Sequence, residues 1–504
     1  MEPAKRIVVN TIAQYSRSII NIILSLYSTR LILAALGVSD FGIYSIVGGV
    51  VAMLGFITNA LVITTQRYIS FHYGKLDMDA VRKVFSNSLF IHVVFAVLLS
   101  LALFLLKDLV IHHWLNIPSL RYEAAGSVYV FTIGTLAIAI LVAPYKAVFV
   151  ARENIVYISV VEVVDGILKF ALALYITHST FDRLVLYAAM MAFLQFINLM
   201  AFVCYAVRKF AECSLAIRCK DISAGYVSAL LGFAGWTTYG MGAIVLRNQG
   251  IAILLNNFFG TVINAAYGIA FQVQAAMSFV STSVLNAMNP QIMKAEGAGD
   301  RKKMLKLAMS ESKYSSALMM IITIPAVLEI HQILSFWLKD IPQGTEMFCT
   351  FILLSFIADQ LTYGLNAANQ AYGAIRNYSL LMYTPKLLIL PLALLVLSSW
   401  RNAVYVMWVY LSVEVIVSVF RLFYIKCTMG LDVLEYLRKV IVPLFPLCCV
   451  LSFVGYMCTA LVSGQYRFML TLFVSVLFGG LVFWLFTMDS SERSLAKQFL
   501  KKGD

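Results

Sequence analysis

Apolar runs about twenty residues long, separated by short polar turns, recur along the whole chain. A hydrocarbon core of ~30 Å needs about 20 apolar residues per helix. That ruler predicts fourteen spans, over residues 7–36, 41–66, 84–106, 122–149, 155–176, 182–208, 225–256, 262–292, 312–336, 346–372, 378–398, 402–426, 440–463 and 466–487. The connections carry turn formers and breakers, as in Leu36-Gly-Val-Ser-Asp40 and Lys339-Asp-Ile-Pro-Gln-Gly344. No connection is long enough for an extramembrane domain, so the expectation is an all-α integral membrane protein with fourteen transmembrane helices. The first run carries Arg17 and lacks a small-x-small cleavage pattern, which reads as a retained helix and not a signal peptide.

The pattern also repeats. Leu36-Gly37…Phe41-Gly-Ile-Tyr44 recurs as Phe259-Gly260…Asn264-Ala-Ala-Tyr267, at an offset of 223 residues. The same offset pairs Gly74 with Gly297, Asp77 with Asp300, Lys83 with Lys306 and Asn154 with Asn377. Matches between Ala or Phe count for little in apolar sequence, but turn landmarks holding one offset from Gly37 to Asn154 mark an internal repeat. The expected organisation is a six-helix bundle over 1–223, a second over 224–439, and two additional helices with a cytoplasmic tail over 440–504. Six is an even number, so the two bundles insert the same way up, related by a pseudo-twofold axis along the membrane normal.

Composition supports lipid as the solvent. Of 504 residues 61% are hydrophobic and only 12% charged, against about 25% charged in an ordinary globular protein, and the mean hydropathy is +0.86. This excludes a cytoplasmic enzyme, a secreted disulfide scaffold and a disordered chain. The net charge of +13 would raise nucleic acid in a soluble protein; here it reads as cytoplasmic loops facing anionic headgroups. With the N-terminus placed inside, 27 lysines and arginines fall on the cytoplasmic side, against six outside: Lys107, Arg121, Arg183, Lys339, Arg401 and Arg467. Five more, Arg17, Arg30, Lys169, Arg247 and Lys386, lie within spans. Both termini are therefore expected to be cytoplasmic. The eight cysteines have no metal-binding spacing and read as buried free thiols.

The intramembrane polar residues are the candidates for chemistry. Asn10, Gln14, Arg17, Asn21, Ser25 and Ser28 share one face of the first helix. They form either a hydrogen-bonded helix seam or the wall of a water-filled cavity. Arg17 lies about ten residues in, ~15 Å deep, where a charge needs a partner or water. The leading helix of the second repeat carries Arg247 beyond glycines 232, 235, 240 and 242, and Arg30 lies nearer the outer end of the first. Guanidinium groups bind phosphate oxygens in bidentate fashion, so Arg17, Arg30 and Arg247, with Gln14 and Asn21, are candidate ligands of an anionic substrate. Glu162, Asp165 and Lys169 share a face of the fifth helix, with Asp165 and Lys169 ideally spaced for an ion pair. Asp359 and Glu414, together with that cluster, either take up H+ or Na+ during transport or only neutralise a nearby Arg or Lys, such as Lys386. No Walker A, dinucleotide-binding, zinc-protease or nucleophile-elbow motif is present. No enzymatic activity, cofactor or metal site is expected.

The opening Asn10-Thr…Tyr27-Ser-Thr-Arg-Leu31…Leu36-Gly-Val-Ser-Asp-Phe-Gly-Ile-Tyr-Ser45, and Arg67-Tyr-Ile…Tyr-Gly-Lys-Leu-Asp77, resemble the Wzx-type polysaccharide-biosynthesis flippases. These belong to the multidrug/oligosaccharidyl-lipid/polysaccharide (MOP) transporter superfamily. The resemblance implies two bundles alternately open to each side of a bacterial inner membrane. It implies a cationic cavity that moves an undecaprenyl-pyrophosphate-linked oligosaccharide to the outer leaflet, with polysaccharide polymerase machinery as a partner. In lipid II flippase relatives, arginines on the first and seventh helices are functional, and the last two helices border a lipid-tail groove. The alternative is a multidrug antiporter of the same fold, exporting organic cations against H+ or Na+.

Overall fold

The computed structural model describes residues 3–488 apart from 53, 115, 116, 339, 340 and 465, together with residue 493. The expected cytoplasmic tail and Lys339 lie outside the described residues. Every long element is a helix, and no strand occurs among the described residues. In chain order these are α1 (Pro3–Ala52), α2 (Gly55–Gly74), α3 (Met78–Leu105), α4 (Tyr122–Ala151), α5 (Ile155–Thr177) and α6 (Arg183–Lys209). There follow α7 (Ala224–Phe259), α8 (Thr261–Gly297), α9 (Arg301–Leu328), α10 (Ile330–Trp337), α11 (Thr345–Gln360) and α12 (Gly364–Tyr372). The last four are α13 (Ile375–Trp400), α14 (Ala403–Met429), α15 (Val442–Leu461) and α16 (Arg467–Val482).

Nine helices among the described residues are long and apolar enough to cross a membrane, or up to twelve spans if each of three bent pairs counts as one. The bends are 46° within α8, 80° between α9 and α10, and 46° between α11 and α12. Two predicted runs stand outside that number for different reasons. Residues 41–66 are not one helix: α1 runs through the kink at Gly37 to Ala52, and α2 starts afresh at Gly55. Helix α5 is continuous, but Glu162, Asp165 and Lys169 make it too polar for a purely apolar span.

The chain divides into two compact units, Met1–Thr238 and Tyr239–Asp504, the division falling inside α7. In the first, α1 lies along α5, and α4 packs against α2, α3 and α6. Phe85, Tyr145, Phe149 and Phe202 fill its largest core. In the second, α8 and α9 pack together and on α12, while α11 and α13 flank α14. The final pair α15–α16 packs on α9 and so belongs to this unit.

The sequence repeat has a structural counterpart in its turns. Gly37 has φ 77° and Gly260 φ 80°, a left-handed backbone that a residue with a Cβ adopts at a cost. After α2, Lys75, Leu76 and Asp77 donate their N–H groups to the carbonyls of Phe71, Tyr73 and His72; after α8, Ala298, Gly299 and Asp300 donate to Lys294, Glu296 and Ala295. All six residues of the second set lie 223 beyond those of the first. Asp77 then caps α3 by accepting from Ala80 N at 2.9 Å, and Asp300 caps α9 by accepting from Lys303 N at 3.0 Å. Such caps contribute about 1 kcal/mol each.

Candidate functional site

In the first unit the polar face of α1 meets α5. Asn10 donates to Glu153 O at 2.9 Å. Arg17 Nη1 meets Glu162 Oε2 at 2.6 Å, its Nη2 donates to Gln14 Oε1 at 3.3 Å, and Lys146 Nζ reaches Glu162 Oε1 at 3.1 Å. Arg17 is 18% exposed, so the depth argument resolves in favour of an ion pair. Glu162 is shared by two cations, leaving this cluster with one positive charge in excess. Asp165 and Lys169 pair at 2.7 Å, one turn along the same face. Beside them lies a pocket of about 320 Å³ lined by Asn21, Ser25, Ser28, Glu162, Asp165 and Lys169, among others. Gly166 permits this approach, because a Cβ there would stand 2.5 Å from Asn21 Oδ1. The face is thus a hydrogen-bonded seam at Asn10 and Arg17 and a polar pocket from Asn21 onward.

The second unit holds a tighter constellation. Arg247 on α7 is ion-paired with Glu414 on α14, and its guanidinium lies 4.4 Å from the centre of the Tyr410 ring. Lys386 on α13 faces Glu414 Oε2 at 2.7 Å as an ion pair and Asp359 Oδ1 at 3.4 Å. Arg421 on α14 completes the chain, with Nη2 at 2.8 Å from Asp359 Oδ1. Arg247, Lys386, Glu414 and Arg421 are each at most 5% exposed, and Asp359 is 15% exposed. Three cations therefore face two carboxylates in a space nearly free of water.

Local backbone geometry explains Arg421. The α11–α12 break ends one helix at Gln360 and leaves carbonyls without helical partners. Arg421 Nη1 donates to Asp359 O at 3.2 Å and to Thr362 Oγ1 at 2.9 Å. A cation at the negative end of a helix is also favoured by the macrodipole. Sequence reasoning misplaced this residue by counting it with the cytoplasmic loops. Arg67 and Lys313, counted likewise, are also buried inside helices. The bias without these three is 24 to six. The missed signal for Arg421 was its spacing of seven from Glu414, two turns along one helix face.

The remaining candidates separate. Arg30 is exposed and has no ion-pair partner among the described residues. Of the seven cysteines whose side chains are described, all free, Cys213 and Cys349 are buried, while Cys204, Cys427 and Cys449 are exposed. Further buried carboxylates went unnoticed in the sequence. Glu329, at the α9–α10 bend, accepts from Arg467 Nε at 2.9 Å and Nη2 at 2.9 Å, and from Thr471 Oγ1 at 2.8 Å, fastening α16 to α9. Glu311 on α9 is fully buried, and neither of its oxygens has a hydrogen-bond partner among the described residues. In the loop after α6, Glu212 accepts from Arg152 Nε at 2.7 Å and Nη2 at 2.8 Å, and also from the Tyr73 hydroxyl. Burial alone would raise its pKa, but these donors outweigh that and hold it below the usual 4.5.

No family model and no curated protein matches the sequence. Solved structures do. A crystal structure of a MATE mutant aligns with TM-score 0.76 at 12% identity, covering 85% of this chain and 97% of that one. An outward-facing multidrug resistance MATE family transporter of the MOP superfamily aligns with TM-score 0.74 at 11% identity, over 85% and 96%. A MOP superfamily transporter from Pyrococcus furiosus, described as having a binding pocket of reverse polarity that suggests a different function, gives 0.73 at 11%, over 85% and 96%. At these identities the likeness is one of fold: this multi-pass helical chain has the fold of MATE transporters of the MOP superfamily.

Proposed function

We propose that the chain is a transporter, not an enzyme, and that it carries an undecaprenyl-pyrophosphate-linked oligosaccharide from the cytoplasmic to the outer leaflet of a bacterial inner membrane. One observation carries this reading: the polar clusters inside both units hold more cations than anions. Arg247, Lys386 and Arg421 stand against Asp359 and Glu414, and Arg17 and Lys146 stand against Glu162. A pyrophosphate crossing a low-dielectric region needs compensating positive charge, and guanidinium pairs offer it with bidentate geometry. An organic cation would meet these same groups as repulsion. The carboxylates of the site are already engaged, so the multidrug antiporter alternative, suggested by the multidrug resistance transporter among the structural neighbours, fits the site less well. The arrangement we propose keeps fourteen spans, with α1–α2 and α5 supplying those that are broken or charged, and both termini cytoplasmic. Bundles over 1–223 and 224–439 alternate in access, and 440–504 adds two helices beside the second.

Complementation of a flippase-deficient strain tests the reading. Arg17→Ala and Arg247→Ala are expected to insert normally and lose glycan export, with Lys substitutions partly tolerated if charge alone matters. Full export by both Ala variants would sink the cationic mechanism, and drug efflux dependent on Asp359 or Glu414 would favour antiport.

A further inference from the structure

We propose that Glu311 is a proton-binding site of the second unit, taking up and releasing a proton in step with movement of the α11–α12 break. The proposal rests on the transporter reading for its purpose but not for its chemistry. Glu311 stands apart from the other buried carboxylates. Glu414 has Arg247 and Lys386, Glu329 has Arg467, Glu212 has Arg152, and Asp359 has Lys386 and Arg421. Glu311 is 0% exposed, and among the described residues neither of its oxygens has a hydrogen-bond partner. An ionised carboxylate in such a place has no compensation, whereas the neutral acid needs none. The structure therefore holds the group with its proton on. Loss of the proton to water, giving carboxylate and hydronium, requires the surroundings to change.

The part that can change lies against it. Ala308 and Ser312, one turn before Glu311 and next to it, touch the start of α12. Gly364 N donates to Ser312 Oγ at 3.0 Å, and a Cβ on Gly364 would stand 2.2 Å from Ala308 O. The break at 361–363 is thus pressed onto the helical turn that carries Glu311. Tyr363, in the break, and Tyr436, which donates to Leu361 O at 2.7 Å, both lie within electrostatic reach of Glu311. On α14, Arg421 holds the break through Asp359 and Thr362, and its Nε has no hydrogen-bond partner among the described residues.

The other elements packed on α9 offer little competition. Helix α16 has only Arg467, held by Glu329, and α15 has Cys448, Cys449, Tyr456 and Cys458. In the last turns of α8, Glu296 is held by Arg301, while Lys294 has contacts of its own. On α12, the Tyr372 ring takes the Arg301 guanidinium; on α11, Glu346 meets His331; Arg438 and Lys439 precede α15, the latter paired with Glu435. On α9 itself, Lys313 lies over the Tyr314 ring. Arg301, Lys302, Lys303 and Lys306 make one end of α9 strongly basic, and Glu311 is ten residues in, ~15 Å from that end. Proton exchange is expected from that side.

Infrared spectroscopy of the full-length protein in lipid, with H₂O/D₂O exchange, reads the group directly. A protonated-carboxyl carbonyl band is expected near neutral pH that disappears on alkalinisation, is absent from Glu311→Gln, and remains in Asp359→Asn and Glu414→Gln. An unchanged spectrum in Glu311→Gln, or a band that persists at every pH, would overturn the proposal. Should Glu311→Gln fold poorly, Glu311→Asp in its place is expected to shift the band without removing it, and an unshifted band counts equally against. A titrating Glu311 band in a protein that exports no glycan on complementation keeps the proton site and removes the flippase reading.

Discussion

The arithmetic of the second-unit cluster makes an asymmetric prediction for the pair at one of its ends, Arg247 and Glu414. Both are almost fully buried, and Glu414 is shared, because Lys386 Nζ stands 2.7 Å from its second oxygen. Arg247→Ala leaves two cations on two carboxylates, with Lys386 still on Glu414 and Arg421 still on Asp359. The loss is then a charged hydrogen bond, about 1.5–3 kcal/mol, plus the stacking on Tyr410. Glu414→Ala leaves three cations around one carboxylate, and Arg247 has no acidic partner remaining. Stranding a buried charge costs roughly 3–5 kcal/mol. Glu414→Ala is therefore expected to lower the midpoint of thermal unfolding in detergent further than Arg247→Ala, and the double variant is expected to be more stable than Glu414→Ala alone. Measured as a thermodynamic cycle, the coupling should be opposite in sign to simple additivity of two losses. An Arg247→Ala midpoint at or below that of Glu414→Ala, or a double variant showing the sum of both losses, would refute the charge count. The same comparison protects the transport assay: export lost by an Arg247→Ala protein that remains folded and inserted points to function and not to folding.

Other expectations follow from single contacts. Gly364→Ala drives a methyl group to 2.2 Å from a backbone carbonyl; overpacking of this kind costs about 1–3 kcal/mol or more, read as a lowered midpoint and poor yield of folded protein. Arg467→Ala strands buried Glu329 and is expected to cost roughly 3–5 kcal/mol, with Arg467→Ala/Glu329→Gln recovering much of it. Glu212 is held below 4.5, so its stabilising effect is fully present above that value and fades as pH falls through the lower folded pKa. Stability followed on acidification should show this loss, and Tyr73→Phe should move it to higher pH. Cysteines at Lys75 and Lys302, in a background without other reactive thiols, should resist an impermeant reagent in intact cells; labelling of either would reverse the proposed orientation.

What the sequence makes legible is what the solvent dictates. Helices α3, α4, α6, α7 and α13–α16 follow from apolar length alone, because lipid leaves a spanning backbone few alternatives to hydrogen-bonding within its own helix. The boundaries that moved have local causes. The expected span over 41–66 splits because α1 continues past Gly37 and the chain restarts at Gly55, a choice decided by packing around positions no more polar than their neighbours. The first-unit cluster was half visible: spacing alone pairs Asp165 with Lys169, but that Glu162 meets Arg17 and Lys146 depends on how α1 lies along α5. Arg421 was hidden for a different reason. Its position near a helix end resembles a cytoplasmic anchor, and only the break between α11 and α12 gives it carbonyls to cap within the unit.

The repeat divides these features into two kinds. Backbone landmarks keep the 223-residue offset down to individual hydrogen bonds, as in the turns at Lys75–Asp77 and Ala298–Asp300, because a left-handed residue and an Asp cap are the few solutions that let a chain turn tightly between helices. The intramembrane charges do not keep it. The residue 223 beyond Arg17 is Gly240, and the residue 223 before Arg247 is Leu24. Gly240 admits the ring of Tyr383, which a Cβ would meet at 2.5 Å, so the place that holds a cation in the first unit holds an aromatic side chain in the second. A duplicated backbone with unduplicated charges is what unequal tasks require. In the first unit a shared carboxylate sits beside a polar pocket, and in the second a dry network of five charges holds a broken helix. Substitutions at Arg17 and Arg247 should therefore differ in kind: loss of Arg17 leaves Lys146 on Glu162 beside water, so export is expected to fall with little change in stability, whereas loss of Arg247 alters both. Equal thermal destabilisation by Arg17→Ala and Arg247→Ala would show the two clusters to be equivalent after all.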